Sequence, residues 1–365
     1  MTFLSRISER VSVIVVGTYV LAMALTVLLL VSTSIGQDLF NHQGHLVLGA
    51  FLIPIYTPIE INLLAGFIGL LAIFTLCFFA AAKNNGGLLA GLRGFFVSSE
   101  KRNLPNWLVI MPLISSALVL IVVGLTFIQD SAGIPTGSLP QLENYQLLYI
   151  LAYAPPLEET MFRISTIGLL VALRTLWASP KVQAIDTMGR PVDHHSIVHN
   201  IAMSFLSPET AKREAGLPSF SETGWASLHW TEWLLLLITS AGFGLAHILT
   251  GAGWELGKVV PAAVSGFVLG ICYLLYGAYA SILLHWFFNV YFEAFALGSD
   301  LLGSVFVTIE GIIGLLTFVT GVLGIGSGIV WLSSRRNHPS ETTYTVQGSS
   351  PVVTGEGALY HRQVD

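Results

Sequence analysis

Eight stretches almost free of charge, each long enough to cross a bilayer, dominate this 365-residue sequence: Val11–Val31, Ile61–Ala82, Trp107–Ile128, Tyr145–Leu176, Trp233–Thr250, Val259–Tyr276, Ser281–Leu297 and Leu301–Trp331. As a helix, about 20 apolar residues cover about 30 Å of hydrocarbon. Lipid offers the backbone no hydrogen bonds, so runs of this length predict helices. The expected fold class is all-α, a polytopic membrane helix bundle of about eight transmembrane helices. Composition agrees, since charged residues make up 10% of the chain and hydrophobic residues 53%, against about 25% charged in soluble proteins. So few charges cannot cover that much apolar surface, which excludes an ordinary soluble enzyme and a disordered chain. At a net charge of −5 the basic footprint of a nucleic-acid binder is also missing.

The basic residues orient the spans. With the N-terminus in the cytoplasm and eight alternating crossings, 14 of the 16 Lys and Arg fall on the inner side. Lys258 falls outside, and Arg163 lies within a span. This asymmetry predicts a multi-pass protein of the cell membrane with both termini cytoplasmic. Leu46–Tyr56 is apolar but too short to span, and reads as an interfacial or re-entrant piece. The expected organisation is three N-terminal spans over 1–144, a catalytic membrane domain over 145–297 with a polar cytoplasmic insert at 178–232, one span over 298–336 and a disordered tail over 337–365. Within the insert, Ser196–Leu206 has the pattern of an amphipathic helix on the inner leaflet. The tail does not end in Cys-a-a-X, so it is not expected to be prenylated there. Cys77 and Cys272 lie in apolar runs and form no disulfide framework.

Ionisable groups are costly at membrane depth and need a partner, a water-filled cavity or a function. Those in the spans are Glu158, Glu159, Arg163, Arg174, His247, His285, Glu293 and Glu310. Arg174, near a span end, can snorkel. Glu293 and Glu310 read as neutral, hydrogen-bonded acids or interface groups. In the fourth run, Pro155 and Pro156 suit a helix start, which would set Glu158 and Glu159 in the first turn at the positive end of the dipole. Glu159 and Arg163 stand four apart, a neutralising pair on one face. Glu158, turned about 100° away, is left as a free base. All three residues forming one buried ion network is the structural alternative.

The fifth run ends Gly242-Phe243-Gly244-Leu245-Ala246-His247, placing Phe243 and His247 on one face, while the small residues let another helix approach closely. In the seventh, His285 and Asn289 are one turn apart and able to donate hydrogen bonds into a cavity. Packing and interhelical hydrogen bonding are the structural alternatives for both. Taken together, the three elements supply a base, a supporting acid–arginine pair, two histidines and an amide. Peptide hydrolysis needs such parts: a group to activate water, a proton carrier and donors for the developing oxyanion. Ser265 and Ser281 are span serines, but no G-x-S-x-G elbow and no H-E-x-x-H occur.

Glu158-Glu159-x-x-x-Arg163, Phe243-x-x-x-His247 and His285-x-x-x-Asn289, in that order on separate apolar runs, resemble the CPBP family, which includes type II CAAX prenyl endopeptidases and bacteriocin-processing proteins. The resemblance covers roughly Tyr145–Leu297. It implies an intramembrane endopeptidase in which Glu158 and His247 activate water, His285 and Asn289 stabilise the oxyanion, and Glu159, Arg163 and Phe243 support the site. The implied substrate is a membrane-associated peptide or a prenylated protein losing its C-terminal tripeptide. No metal is favoured; if zinc is bound, Glu158, His247 and His285 are its expected ligands. Asn289 is a poor zinc ligand and an apt donor. Arg163 is followed by Ile164 where many members carry Gly, and the insert widens the gap between the first two motifs. His195 and His199, four apart in the insert, are a further candidate metal pair. The rival functions are a proton-coupled transporter, since Glu, His and Asn also form relays, and a non-catalytic immunity or scaffold protein.

Overall fold

The computed structural model describes residues 3–88, 104–178, 197–251 and 253–337. The insert before residue 197, with His195, and the tail after Asn337 lie outside the described residues. Eight helices are long and apolar enough to cross a membrane: Ile14–Ser32, Leu63–Lys83, Trp107–Ser131, Asn144–Ala178, Trp230–Leu249, Leu256–Tyr276, Ala278–Leu302 and Ser304–Val330. Each coincides with one of the expected stretches, so the chain is a multi-pass helical bundle.

The seventh span is its core. Of that span's apolar window 72% is buried, against 22% for the second and eighth. The first span braces it from one side. There the Tyr19 ring packs edge-on against Phe287 and Tyr291 at 5.2 and 5.3 Å, and the Thr18 and Tyr291 hydroxyls lie 2.6 Å apart. The fifth and sixth spans pack closely because Gly244 leaves room: a Cβ there would collide with the Val259 carbonyl.

The structure corrects the sequence reading of the fourth span. No helix begins at the prolines. The helix starts at Asn144, where Glu143 and Gln146 form a capping box, and runs through Pro155 and Pro156 to Glu159. It then widens into a π turn, Thr160–Ile164, and resumes as Thr166–Ala178. Prolines are tolerated inside spans because neighbouring groups re-satisfy the freed carbonyls. Around the π turn side chains take up carbonyls in the same way: the Thr160 hydroxyl donates to the Pro156 carbonyl at 2.7 Å, and the Ser165 hydroxyl to the Thr160 carbonyl at 2.6 Å. Glu158 and Glu159 therefore close a helical segment rather than open one, and the dipole argument for them falls away.

Residues 43–62, which include Leu46–Tyr56, form an antiparallel hairpin, β1 (Gln43–Ala50) and β2 (Ile53–Asn62). Ile53, Ile55, Thr57, Ile59 and Ile61 alternate with period two, the strand spacing. Phe51 and Leu52 make its turn with φ of 48° and 67°, the left-handed geometry of a tight two-residue hairpin. A bulge falls between His45 and Val47.

Ile197–Leu206 is a helix, as expected. It is anchored by Ser204 Oγ, 3.1 Å from Thr175 Oγ1, and by the Tyr273 hydroxyl, which donates to the Phe205 carbonyl at 2.9 Å. Arg174 does not snorkel alone. It donates to Glu232 at 2.7 Å, and buried Lys212 approaches the other oxygen of Glu232 at 3.5 Å. Burial of Glu232 at the start of the fifth span draws both cations to it.

Candidate active site

The fourth, fifth and seventh spans bring Glu158, Glu159, Arg163, His247 and His285 together around Phe243. Glu159 and Arg163 are fully buried and joined at 3.0 Å between Oε1 and Nη1. The expected i, i+4 pair thus persists across the entry into the π turn. The other arm of the guanidinium donates to the Gly266 carbonyl of the sixth span at 3.0 Å. The sequence reading did not single out Gly266. Its signal is the missing side chain, since a Cβ would press on Arg163 Nη2 and on Phe243 at 3.1 Å each.

His285 lies between the two glutamates. Its Nδ1–H donates to Glu159 Oε1 at 2.9 Å, and its Nε2 is 3.5 Å from Glu158 Oε2. The carboxylates differ in access. The Glu159 side chain has no exposed surface, whereas that of Glu158 is 28% exposed. Glu158 is therefore the acid that a small molecule can reach. Glu159 and Arg163 neutralise each other, which makes the fully buried pair tolerable at membrane depth.

Phe243 organises the remainder. Its ring is 4.4 Å from the Arg163 guanidinium carbon and meets His247 edge-on at 5.0 Å, His285 at 5.7 Å and Phe162 at 5.3 Å. An aromatic face held against a guanidinium adds cation–π attraction. His247 donates Nδ1–H to the Phe243 carbonyl at 2.8 Å, which leaves its Nε2 as a free acceptor. His247 thus joins the cluster through Phe243 rather than through a carboxylate.

Asn289 lies in a second π turn, Phe287–Tyr291, directly after His285. π turns are rare and concentrate at functional sites, and this chain has one beside each of two motifs. The Asn289 amide is half-buried and makes no hydrogen bond to the described residues. The wider turn shifts it off the simple i, i+4 alignment with His285.

Lys258 also bears on the site. Its charge acts on both Glu158 and His247, and its ammonium sits 3.9 Å from the Trp254 ring centre. Its signal in the sequence was its isolation as the one cation assigned to the far side. The carboxylates Glu293 and Glu310 are half-buried and form no ion pair with the described residues.

Among the described residues no group of three or more His, Cys, Asp or Glu side chains is disposed to hold a metal ion. Both nitrogens of His285 already face carboxylates, and the Phe243 ring lies between His285 and His247. His199 pairs with Glu214 at 3.1 Å.

Residues 140–291, from the residues just before the fourth span to the end of the second π turn, match a family model described as type II CAAX prenyl endopeptidase Rce1-like. No curated protein and no solved structure matches the chain.

Proposed function

We propose, from the match of residues 140–291 to the type II CAAX prenyl endopeptidase Rce1-like model, that this chain is an intramembrane protease of the CPBP family, a glutamate-based endopeptidase acting on prenylated, Cys-a-a-X-ending chains at the membrane. The observation carrying this reading is the His285 Nε2 to Glu158 Oε2 approach of 3.5 Å, with Glu158 accessible and Glu159 buried behind the ring. A carboxylate that water can reach, next to a ring whose orientation another carboxylate fixes, suits general-base chemistry.

In the proposed reaction Glu158 takes a proton from a water molecule as the oxygen attacks the scissile carbonyl. His247 Nε2 accepts the second hydrogen of that water and holds its direction. The carbonyl π pair moves onto oxygen, where His285 and Asn289 donate to the oxyanion. Glu158 then passes its proton to the departing amide nitrogen, the C–N bond breaks, and a new C-terminal carboxyl and a free amine result. Lys258 lies where it attracts the C-terminal carboxylate of the departing tripeptide. The supporting trio Glu159, Arg163 and Phe243 keeps His285 in place. The bilayer supplies the substrate's route, and the Lys and Arg asymmetry argues for cytoplasmic termini.

The test is cleavage of farnesylated peptides ending in Cys-a-a-X by the purified protein in nanodiscs. Release of the terminal tripeptide is expected. Unmodified peptides cut equally well would overturn the prenyl preference, and no cut in any peptide would overturn the reading.

A further inference from the structure

The β-hairpin lies against the fourth span and offers a backbone edge. At its base the His42 ring stacks on Tyr145 at 4.8 Å. At its tip, Phe51 N–H donates to the Ser165 hydroxyl at 2.8 Å and Leu52 N–H to the Met161 carbonyl at 3.2 Å. The Met161 acceptor is one that the π turn releases from the helix. Tyr145 to Ser165 is about 30 Å of helix at 1.5 Å per residue, so the hairpin lies lengthwise along the fourth span and passes Glu158. Gly49 is packed so tightly on Leu157 and Met161, which flank Glu158, that a side chain would collide with both. Leu48, Ile53 and Ile55 present an exposed apolar face.

The register fixes which backbone groups remain. In a two-residue hairpin the flanking residues, Ala50 and Ile53, are a hydrogen-bonded pair, and the next such pair is Leu48 with Ile55. Val47, Gly49, Pro54 and Tyr56 therefore turn their backbone groups outward. On β1, Val47 is satisfied, because the Tyr153 hydroxyl meets both its N–H and its carbonyl. On β2, Pro54 has no donor, and Ile59 N–H donates to its neighbour Thr57 Oγ1 at 3.3 Å. Tyr56 N–H is left without a partner among the described residues, beside the outward carbonyls of Pro54 and Tyr56, and its side chain is 77% exposed.

Open sheet edges are not stable against lipid. One donor between two acceptors on alternate residues is the hydrogen-bonding footprint of a short extended chain, the strand-addition mode of peptide recognition. We infer that the outer edge of β2 at Pro54 and Tyr56 takes the backbone of the substrate peptide as a third strand. The occupant is a substrate segment because this edge is continuous with the proposed catalytic wall: Pro54 pairs with Gly49, which sits on the turn that holds Glu158. The inference rests on the proposed endopeptidase reading and names how its substrate docks.

The experiment compares Tyr56→Pro with Tyr56→Ala in nanodiscs, using a fluorescein-labelled farnesylated peptide ending in Cys-a-a-X. Proline removes only the outward N–H, as Pro54 already does two residues earlier, whereas alanine controls for the side chain. Binding is read by anisotropy in a Glu158→Gln background, and cleavage in the active protein. Tyr56→Pro is expected to weaken binding about three- to tenfold beyond Tyr56→Ala, raising KM and sparing kcat. N-methylation along the peptide backbone is expected to hurt at alternate residues only. Equal behaviour of the two variants, or an N-methyl scan without a period of two, overturns the inference. So does a Tyr56→Cys protein that crosslinks to its own copy undisturbed by peptide. Tyr56-dependent binding with no cleavage would refute the peptidase reading and leave the strand pairing standing.

Discussion

Glu159 and His285 share a single hydrogen bond of 2.9 Å, from Nδ1–H to Oε1, and that bond decides what Glu158 can do. It fixes the imidazole so that Nε2 points at Glu158. The same Glu159 oxygen accepts from Arg163 at 3.0 Å. The fourth-span pair thus has two tasks, neutralising charge and aiming a ring on another span.

Arg163→Met is expected to unfold the site rather than retune it. The substitution leaves Glu159 buried and without its cation, a loss of about 3–5 kcal/mol for a broken buried pair. The measurement is thermal unfolding in detergent, with a fall in Tm accompanying lost cleavage. An Arg163→Met protein with wild-type Tm and full activity would contradict the role assigned to the pair.

Glu158→Gln is expected to behave in the opposite way. The side chain is partly exposed, and its buried neighbour His285 keeps its hydrogen bond to Glu159, so Tm should hold. Cleavage should fall by about 10²–10⁴, the range for losing a positioned proton carrier. Exhaustive chelation should leave the wild-type rate unchanged. Activity that disappears with chelation and returns with zinc would replace the glutamate-based scheme.

Much of this was legible in the sequence because lipid simplifies the problem. A run such as Trp107–Ile128 can do little but span, and Glu159 with Arg163 at i, i+4 can do little but pair. Two things were hidden by their dependence on tertiary contacts. Pro155 and Pro156 look like a helix start to any local rule, yet the helix has already begun at Asn144, and Thr160, Ser165 and the hairpin tip satisfy carbonyls around the π turn that follows. The strand period of Ile53, Ile55, Thr57, Ile59 and Ile61 was present, but Pro54 and Pro58 argue against a central strand, and both sit in β2, which has no second neighbour among the described residues. Phe243 showed as a motif residue. That its ring would touch Arg163, His247 and His285 together depends on Gly266, on the next span and outside any local pattern.

The hairpin tip gives a prediction independent of catalysis. Ser165 Oγ accepts from Phe51 N–H and donates to the Thr160 carbonyl. Ser165→Ala removes both bonds, each worth about 1 kcal/mol. Hydrogen exchange at Phe51 and Leu52 should quicken about fivefold while exchange in the seventh span stays unchanged. Unaltered exchange at the tip would mean that the π turn does not hold the hairpin.

Lys258 should read the free end of the substrate. Its ammonium is steadied against Trp254 and its charge reaches Glu158 and His247, so a C-terminal carboxylate released near Glu158 falls within its field. Amidating that terminus should raise KM about fivefold, the worth of roughly 1 kcal/mol for a charge-assisted contact. In Lys258→Gln the free acid and the amide should be cut alike, with kcat little changed because Lys258 takes no proton in the reaction. A steady-state comparison of the two peptides with both proteins checks this. If Lys258→Gln still prefers the free acid by the wild-type factor, the carboxylate is recognised elsewhere.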